Sequence, residues 1–314
     1  MKIVIVGFGS IGHRYVKFLM KNSSHTLWLF RSQKSGKGNE FNLQEIYSWK
    51  QCRELKPDVI FITNPTSLHI STAMKATACL CPLFIEKPLG SSLTGLSKLI
   101  HVIQEKHIPT YVAYVFRFHP VIEALQKYIR TNTFLSMRVI CSSYLPLWRP
   151  GKNWKQTYSA KTSMGGGVLL DLSHELDYVT YLLGEIAEIV GFQKRVSDIT
   201  FDSEDVADIL CETKKGLANI HLDYFGQMKK RSITVYFKEM TVCADLLTGV
   251  IEEWKNERCI QKNTLKFDLS ELYEKQLTYF LENLHNTAMN NSVAKATPLL
   301  QKIISFKKRG IYET

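Results

Sequence analysis

One stretch of twelve residues limits what this chain can fold into. Lys2 to Val6 read KIVIV, a short apolar run rich in β-branched residues. Gly7-Phe8-Gly9-Ser10-Ile11-Gly12 follows, and then Tyr15, Phe18 and Leu19 recur at helical spacing. Strand, glycine turn and helix in that order make G-x-G-x-x-G a dinucleotide fingerprint rather than a chance spacing. Gly7 suits the tight turn, Gly9 lets the backbone approach a pyrophosphate, and Gly12 lets the helix pack on the strand. Ser10 and Ile11 open that helix, whose N-terminal N–H groups and dipole favour phosphate.

Strand and helix patterns then alternate. Strands are expected at Thr26–Phe30, Val59–Thr63, Pro82–Glu86 and Thr110–Val115. Helical stretches are expected between them, including short pieces at Leu43–Tyr47 and Trp49–Leu55 and a longer one at Leu93–Lys106. Such alternation predicts a parallel, doubly wound sheet whose ligands bind at the carboxyl ends of its strands. Gly7, Arg31, Ser32, Thr63, Asn64, Pro65, Glu86 and Arg117 all fall at or just after such ends. No carboxylate follows Phe30; Arg31 stands there instead, which favours the 2′-phosphate of NADP over the free ribose of NAD, with NAD still possible.

From Phe134 the strands lengthen and follow one another directly, up to about Phe267, with one helix from about Gly167 to Leu183. Two more helices close the chain, near 270–290 and 298–308. The expected architecture is α/β plus α+β. Residues 1–118 form a Rossmann domain. Residues 119–314 form an open, mostly antiparallel sheet with helices on one face, and the last helix packs back on the first domain. A sheet covered on one face only calls for a partner on the other, so a homodimer or homotetramer is expected.

Gly165-Gly166-Gly167 precede Val168-Leu169-Leu170-Asp171-Leu172-Ser173-His174-Glu175-Leu176-Asp177. In one helix Asp171 and His174 share a face, three residues apart. A carboxylate beside an imidazole is a proton-transfer unit, because the carboxylate sets the tautomer. No third-ligand pattern accompanies the pair, so no metal is expected. Upstream, Tyr144 to Ala160 is a loop carrying Trp148, Arg149, Lys152, Trp154 and Tyr158. Its aromatics suit sugar or base rings, and its cations suit phosphate or carboxylate.

The formal net charge of +11 comes from lysines and arginines scattered through both halves, with no nucleic-acid-binding signature. No apolar run approaches the roughly 18 residues that cross a membrane. Seven cysteines without C-x-x-C argue against a disulfide framework, and Cys79 and Cys81 read as two buried thiols. Met1 is followed at once by a core strand. Together these predict a cytoplasmic protein with neither nucleic acid nor membrane as a partner.

The glycine turn at Gly7, Asn64-Pro65 with His69, and above all Glu86-Lys87-Pro88 resemble the glucose-fructose oxidoreductase / inositol dehydrogenase / rhizopine-catabolism family. That resemblance implies an NAD(P)-dependent oxidoreductase of sugars and their derivatives, and it spans the whole chain. It implies a catalytic acid/base role for Lys87 beside the nicotinamide and a cofactor role for Asn64, Pro65, His69 and Glu86. The Lys87–Pro88 bond is expected to be cis. The family's glycine-rich helix start, followed by Asp and His contacting the reacting hydroxyl, is similar to Asp171 and His174. It often spaces them four apart, and here they stand three apart. The loop at Trp148–Tyr158 looks like the branch that serves bacterial surface sugars and nucleotide sugars. Arg117 is a second candidate anion contact, with a structural ion pair at the domain junction as the alternative. The competing expectation is a regulatory binding protein that keeps the fold and senses a nucleotide without turnover.

Overall fold

The computed structural model describes every residue except 22–23, 34–38, 150, 152, 201 and 310–314. It forms two compact units, 1–113 with 277–297, and 114–276 with the remainder.

The first unit runs β1 (Lys2–Val6), α1 (Ser10–Leu19), β2 (Thr26–Phe30), β3 (Gln44–Ile46), α2 (Trp49–Leu55), β4 (Val59–Ile62), α3 (His69–Ala76), β5 (Leu83–Glu86), α4 (Leu96–Glu105) and β6 (Thr110–Ala113). Its six strands are parallel in the order β3-β2-β1-β4-β5-β6. The strand order reverses between β1 and its neighbours, which is where a doubly wound sheet opens its ligand crevice. Strands β4, β5 and β6 are buried along their whole length, as expected for a sheet covered on both faces. The stretch expected as a helix at Leu43–Tyr47 is instead the edge strand β3, paired to β2 with Leu29 opposite Glu45. Three residues are too few to show a period, and pairing with β2 decides their conformation.

The second unit continues with α5 (Pro120–Thr131), β7 (Phe134–Ser142), α6 (Val168–Asp171), α7 (Ser173–Leu183), β8 (Ile186–Lys194), β9 (Val206–Thr213), β10 (Gly216–Asp223), β11 (Lys230–Phe237), β12 (Thr241–Asp245), β13 (Val250–Lys255) and β14 (Arg258–Thr264). Its eight strands lie in the order β14-β13-β12-β11-β7-β10-β9-β8, and β7 with β10 is its parallel pair. Burial alternates along β9 and β10, so one face packs inward while Leu210, Leu217 and, on β8, Val190 and Phe192 point outward and exposed.

Helices α8 (Leu269–Glu282) and α9 (Val293–Arg309) each serve both units. Phe280 packs edge-on against Phe84 at 5.1 Å, and Asn291 exchanges backbone and side-chain hydrogen bonds with Val112 at 2.8 and 2.5 Å. Residues 277–297 therefore complete the first unit, a return that the expected boundary at 118 omits. Residues 298–308 correct the expectation in the other direction. They stay with the second unit, where the Lys307 carbonyl accepts from Gln193 and its ammonium meets Glu204 at 2.9 Å.

Candidate functional site

At the carboxyl end of β1 the chain turns through Gly7, whose φ of +97° lies in the region that favours glycine. A Cβ there would lie 2.5 Å from the Asn64 nitrogen, so the turn fits against the end of β4 only without a side chain. Thr63 closes the same contact by donating to the Gly7 carbonyl at 2.7 Å, which makes it a support of the turn. Gly9 differs. Nothing lies within 4 Å of where its Cβ would be, so packing gives no reason for a glycine. It is exposed at the start of α1, whose first turn carries no acidic residue. A bare backbone before a helix dipole suits a pyrophosphate.

Beside this turn is a cleft of about 420 Å³. Val6, Gly7 and Phe8 form its floor, Phe30, Arg31 and Ser32 one side, and Asn64, Pro65 and Leu68 the other. Trp49 of α2 and Thr72 and Lys75 of α3 complete it, three residues that sequence reading did not assign to the site. Thr72 and Lys75, three apart on one helix, carried the signal that they share a face. The Asn64 amide donates to Thr72 at 2.8 Å, and its buried carbonyl oxygen has no hydrogen-bond partner among the described residues. A buried acceptor left unpaired in a cleft wall is costly unless a ligand donor meets it. Together with the bare Gly9 backbone, this makes the residues fit a dinucleotide.

Arg31 is not alone at the end of β2. Glu45, delivered by β3, stands 3.3 Å from its guanidinium and also accepts from Tyr47 at 2.7 Å and Asn39 at 3.1 Å. These donors, Tyr47 foremost, hold the Glu45 carboxyl below its ordinary range. The expectation of no carboxylate here is thus corrected: none follows Phe30 in sequence, but the neighbouring strand brings one.

Glu86, at the end of β5, is buried. It accepts from the Tyr15 hydroxyl at 2.7 Å and from the Lys87 backbone N–H at 3.0 Å, and burial pushes its carboxyl up from the ordinary range. Glu86 therefore fixes the backbone that carries Lys87. The Lys87–Pro88 bond is cis. His69 likewise supports the strand ends. Its buried ring lies 2.8 Å from the Pro88 carbonyl and 2.9 Å from the Asn64 carbonyl, tying the two strand ends together, and burial lowers its pKa. A neutral ring has one N–H and satisfies one of these carbonyls at a time.

In the second unit the expected single helix is broken at Leu172, between α6 and α7. Asp171 and His174 consequently sit on different helices, and the i, i+3 rule does not relate them. The Asp171 carboxylate accepts from Tyr158 at 2.7 Å and from Tyr224 at 3.2 Å. Burial and this carboxylate push the Tyr158 phenol well above its ordinary value. The His174 ring meets Phe116 edge-on at 4.9 Å and Tyr114 at 5.6 Å. Beneath it, Glu175 pairs with Arg231 at 2.8 Å, and Arg231 lies over the Phe116 ring at 4.2 Å. Sequence spacing gave no sign of that buried pair, 56 residues apart.

The glycines at 166 and 167 do not leave an open backbone. A Cβ on Gly166 would lie 2.1 Å from the Tyr158 carbonyl, and one on Gly167 would meet the Glu204 carboxylate at 2.3 Å. They let the aromatic loop dock. That loop uses its indoles internally: Trp148 donates to Ser143 at 2.9 Å and Trp154 to the Ile199 carbonyl at 3.2 Å. Arg149 lies over the Tyr158 ring at 4.9 Å. Lys152 lies outside the described residues. Arg117 forms a buried bidentate pair with Asp177 at 2.9 and 2.6 Å. Among the described residues no His, Cys, Asp and Glu cluster is arranged to hold a metal.

Residues 1–114 match the sequence profile of an oxidoreductase family with an NAD-binding Rossmann fold, and residues 122–242 match the GFO/IDH/MocA C-terminal domain. A levoglucosan dehydrogenase of Pseudarthrobacter phenanthrenivorans is 26% identical over 133 residues, 42% of this chain and 34% of that protein. A UDP-N-acetylglucosamine 3-dehydrogenase of Acidithiobacillus ferrooxidans is 24% identical over 196 residues, 62% of this chain and 57% of that protein. The chain thus matches between a third and somewhat over half of the length of these relatives. An oxidoreductase of Agrobacterium radiobacter, solved with NAD⁺, L-tartaric acid and magnesium, superposes with a TM-score of 0.83 at 17% identity, covering 99% of this chain and 96% of that one.

Proposed function

We propose, of a chain that belongs to the GFO/IDH/MocA oxidoreductase family, that it transfers a hydride reversibly between NADP(H) and a hydroxyl-bearing carbon of a sugar derivative. The observation that carries this reading is the end of β5. There a buried carboxylate and a buried histidine fix the backbone on both sides of Lys87, two strands from the glycine turn. Such effort spent on placing one lysine suits a group that moves a proton.

The bound dinucleotide supplies a nicotinamide C4 that takes or gives the hydride. Gly7, Gly9 and the start of α1 hold its phosphates, and Asn64 offers its unpaired oxygen. Arg31 and Ser32 meet the adenosine ribose. Lys75 adds a second cation to that cleft, which supports preference for a 2′-phosphate although Glu45 offsets part of the Arg31 charge. Lys87 and His174 handle the hydroxyl proton. Asp171 acts through the tyrosines it orders, and Tyr158 with Arg149 above it suits the ring and charge of an anionic or nucleotide-linked sugar. Relatives that act on levoglucosan and UDP-N-acetylglucosamine support a sugar substrate. The exposed apolar side chains on the outward face of the eight-stranded sheet support a homodimer or homotetramer built there. Seven cysteines, none in a disulfide, support a cytoplasmic setting.

Fluorescence titration with NADPH and NADH tests the cofactor. NADPH is expected to bind more tightly, and Arg31→Asp to reverse the order; equal or tighter NADH binding to the unaltered protein refutes the preference. A thermal-shift panel of sugars and nucleotide sugars with NADPH present then identifies the substrate class, since a ligand raises the melting temperature by mass action.

A further inference from the structure

Three cysteines gather at one corner of the first unit. Cys52 is buried in α2, and Cys79 ends the turn after α3 with its thiol half-buried. Their sulfurs are 3.7 Å apart. Cys81 lies two residues further on, buried, with its thiol pushed up to about 12 by burial. Leu80 between them is exposed and holds a left-handed φ of 53°, so the turn stands at the surface and Cys79 is the thiol of the three that a small oxidant reaches. The Cys52 thiol beside it and the nearby Arg53 draw the Cys79 pKa down, while Cys52 is held far up by its contact with Cys79 and by burial. The half-buried thiol is thus the easier of the two to ionise.

The same two elements form part of the cleft wall. Trp49 stands three residues before Cys52 on α2, and Lys75 four residues before Cys79. We propose that Cys79 and Cys52 are a peroxide-responsive pair that closes a disulfide between α2 and the turn after α3 and thereby loosens dinucleotide binding in the adjoining cleft.

The chemistry balances in two steps. The Cys79 thiolate attacks hydrogen peroxide; an S–O bond forms, the O–O bond breaks, and the hydroxide released becomes water. The Cys52 sulfur then attacks the Cys79 sulfenic acid; the S–S bond forms, the S–O bond breaks, and a second water leaves with the Cys52 proton. Two thiols lose two electrons and two protons, and the peroxide is reduced to two waters. Closing 3.7 Å to the roughly 2.05 Å of an S–S bond draws α2 toward the end of α3. Trp49 and Lys75 move with them, narrowing a cleft that the reduced protein holds open.

The effect on binding rests on the dinucleotide reading above; the disulfide does not. The full chain, reduced and then freed of reductant, is treated with hydrogen peroxide, digested without reduction and mapped by mass spectrometry, and NADPH affinity is measured by fluorescence in both states. The expected result is a Cys52–Cys79 linked peptide, at least threefold weaker NADPH binding, and full reversal by dithiothreitol. Cys52→Ser should leave a Cys79 sulfenic acid that dimedone captures, and an affinity that peroxide no longer changes. A Cys79–Cys81 link, no link at all, or a Cys52–Cys79 link with affinity unchanged overturns the proposal. If the reduced protein binds neither NADPH nor NADH, the cofactor reading falls, and the peptide map still decides the thiol chemistry.

Discussion

Lys87 owes its backbone placement to neighbours that bring no proton chemistry to a substrate themselves. Tyr15 donates to Glu86, Glu86 accepts from the Lys87 amide, and His69 reaches the Pro88 carbonyl. Replacing Lys87 with Ala removes the ammonium and leaves that scaffold and the phosphate turn in place. Turnover is expected to fall by about 10²–10⁴, with NADPH affinity nearly unchanged. His174→Ala should act similarly. The double variant should lose less than the product of the two, because groups that serve one step are not additive. Steady-state and single-turnover rates check this, and Lys87→Ala retaining more than about a tenth of turnover refutes it. If both variants lose NADPH binding instead, the two residues are structural and the regulatory reading gains. Residue types at strand ends were legible in the sequence here, since Gly7, Arg31, Asn64 and Lys87 all stand where the alternation of elements puts them. Roles were less so. His69 looked like a ligand, and its two carbonyl partners, 5 and 19 residues away, could be identified only once the strand ends were placed.

Among the elements, those with a clear apolar pattern were readable and the three-residue edge strand was not. The parallel strands and α4 follow their apolar patterns, whereas β3 has three residues and takes its form from its neighbour. The helix at 167–183 shows a second limit. Its apolar run continues through Leu172, yet Leu172 leaves helical geometry and α7 starts afresh at Ser173. The glycines before it are close packing, which the sequence pattern alone does not show. Gly166→Ala tests that reading. With a methyl placed 2.1 Å from the Tyr158 carbonyl, backbone has to shift. The cost should exceed about 2 kcal/mol, the range of buried overpacking, and appear as a lowered melting temperature with the Tyr158 loop displaced. A melting temperature equal to that of the unaltered protein refutes it.

The eight-stranded sheet also carries a pH signature. His221, on its outward face, sits between Asp223 at 3.1 Å and Asp208 at 2.7 Å; its hydrogen bond to Asp223, then that to Asp208, raise its pKa to about 9 in the folded protein. A raised pKa stabilises the fold in full below the unfolded value of about 6.5, and that contribution fades as pH climbs through 9. Melting temperature should therefore decline from pH 6.5 to 9.5 more steeply than in His221→Gln. Identical slopes refute the assignment.

At the scale of the molecule, the fold class and the two-unit division were legible because alternation gives way to consecutive strands near residue 134. The return of 277–297 to the first unit was not, since a helix pattern does not say which sheet it covers. Leu210, Leu217, Val190 and Phe192 stand exposed on one sheet face, Phe192 at 71%. Exposed apolar groups contiguous on a sheet mark an interface. Light scattering at micromolar concentration should give at least twice the 36.1 kDa of one chain, and a monomer refutes the assembly.

That return has a consequence for the order of events on the ribosome. The β6 backbone at Val112 is bonded by Asn291, and the aromatic layer of Phe61 and Phe84 is closed by Phe280. When the first hundred or so residues emerge, the partners that finish them have not been translated. The nucleotide-binding unit therefore waits, with its outer strand edge unpaired and its aromatic layer uncovered, until residues 277–297 have been made. Until then the unit exposes apolar surface and an unpaired strand edge, the features that chaperones cover.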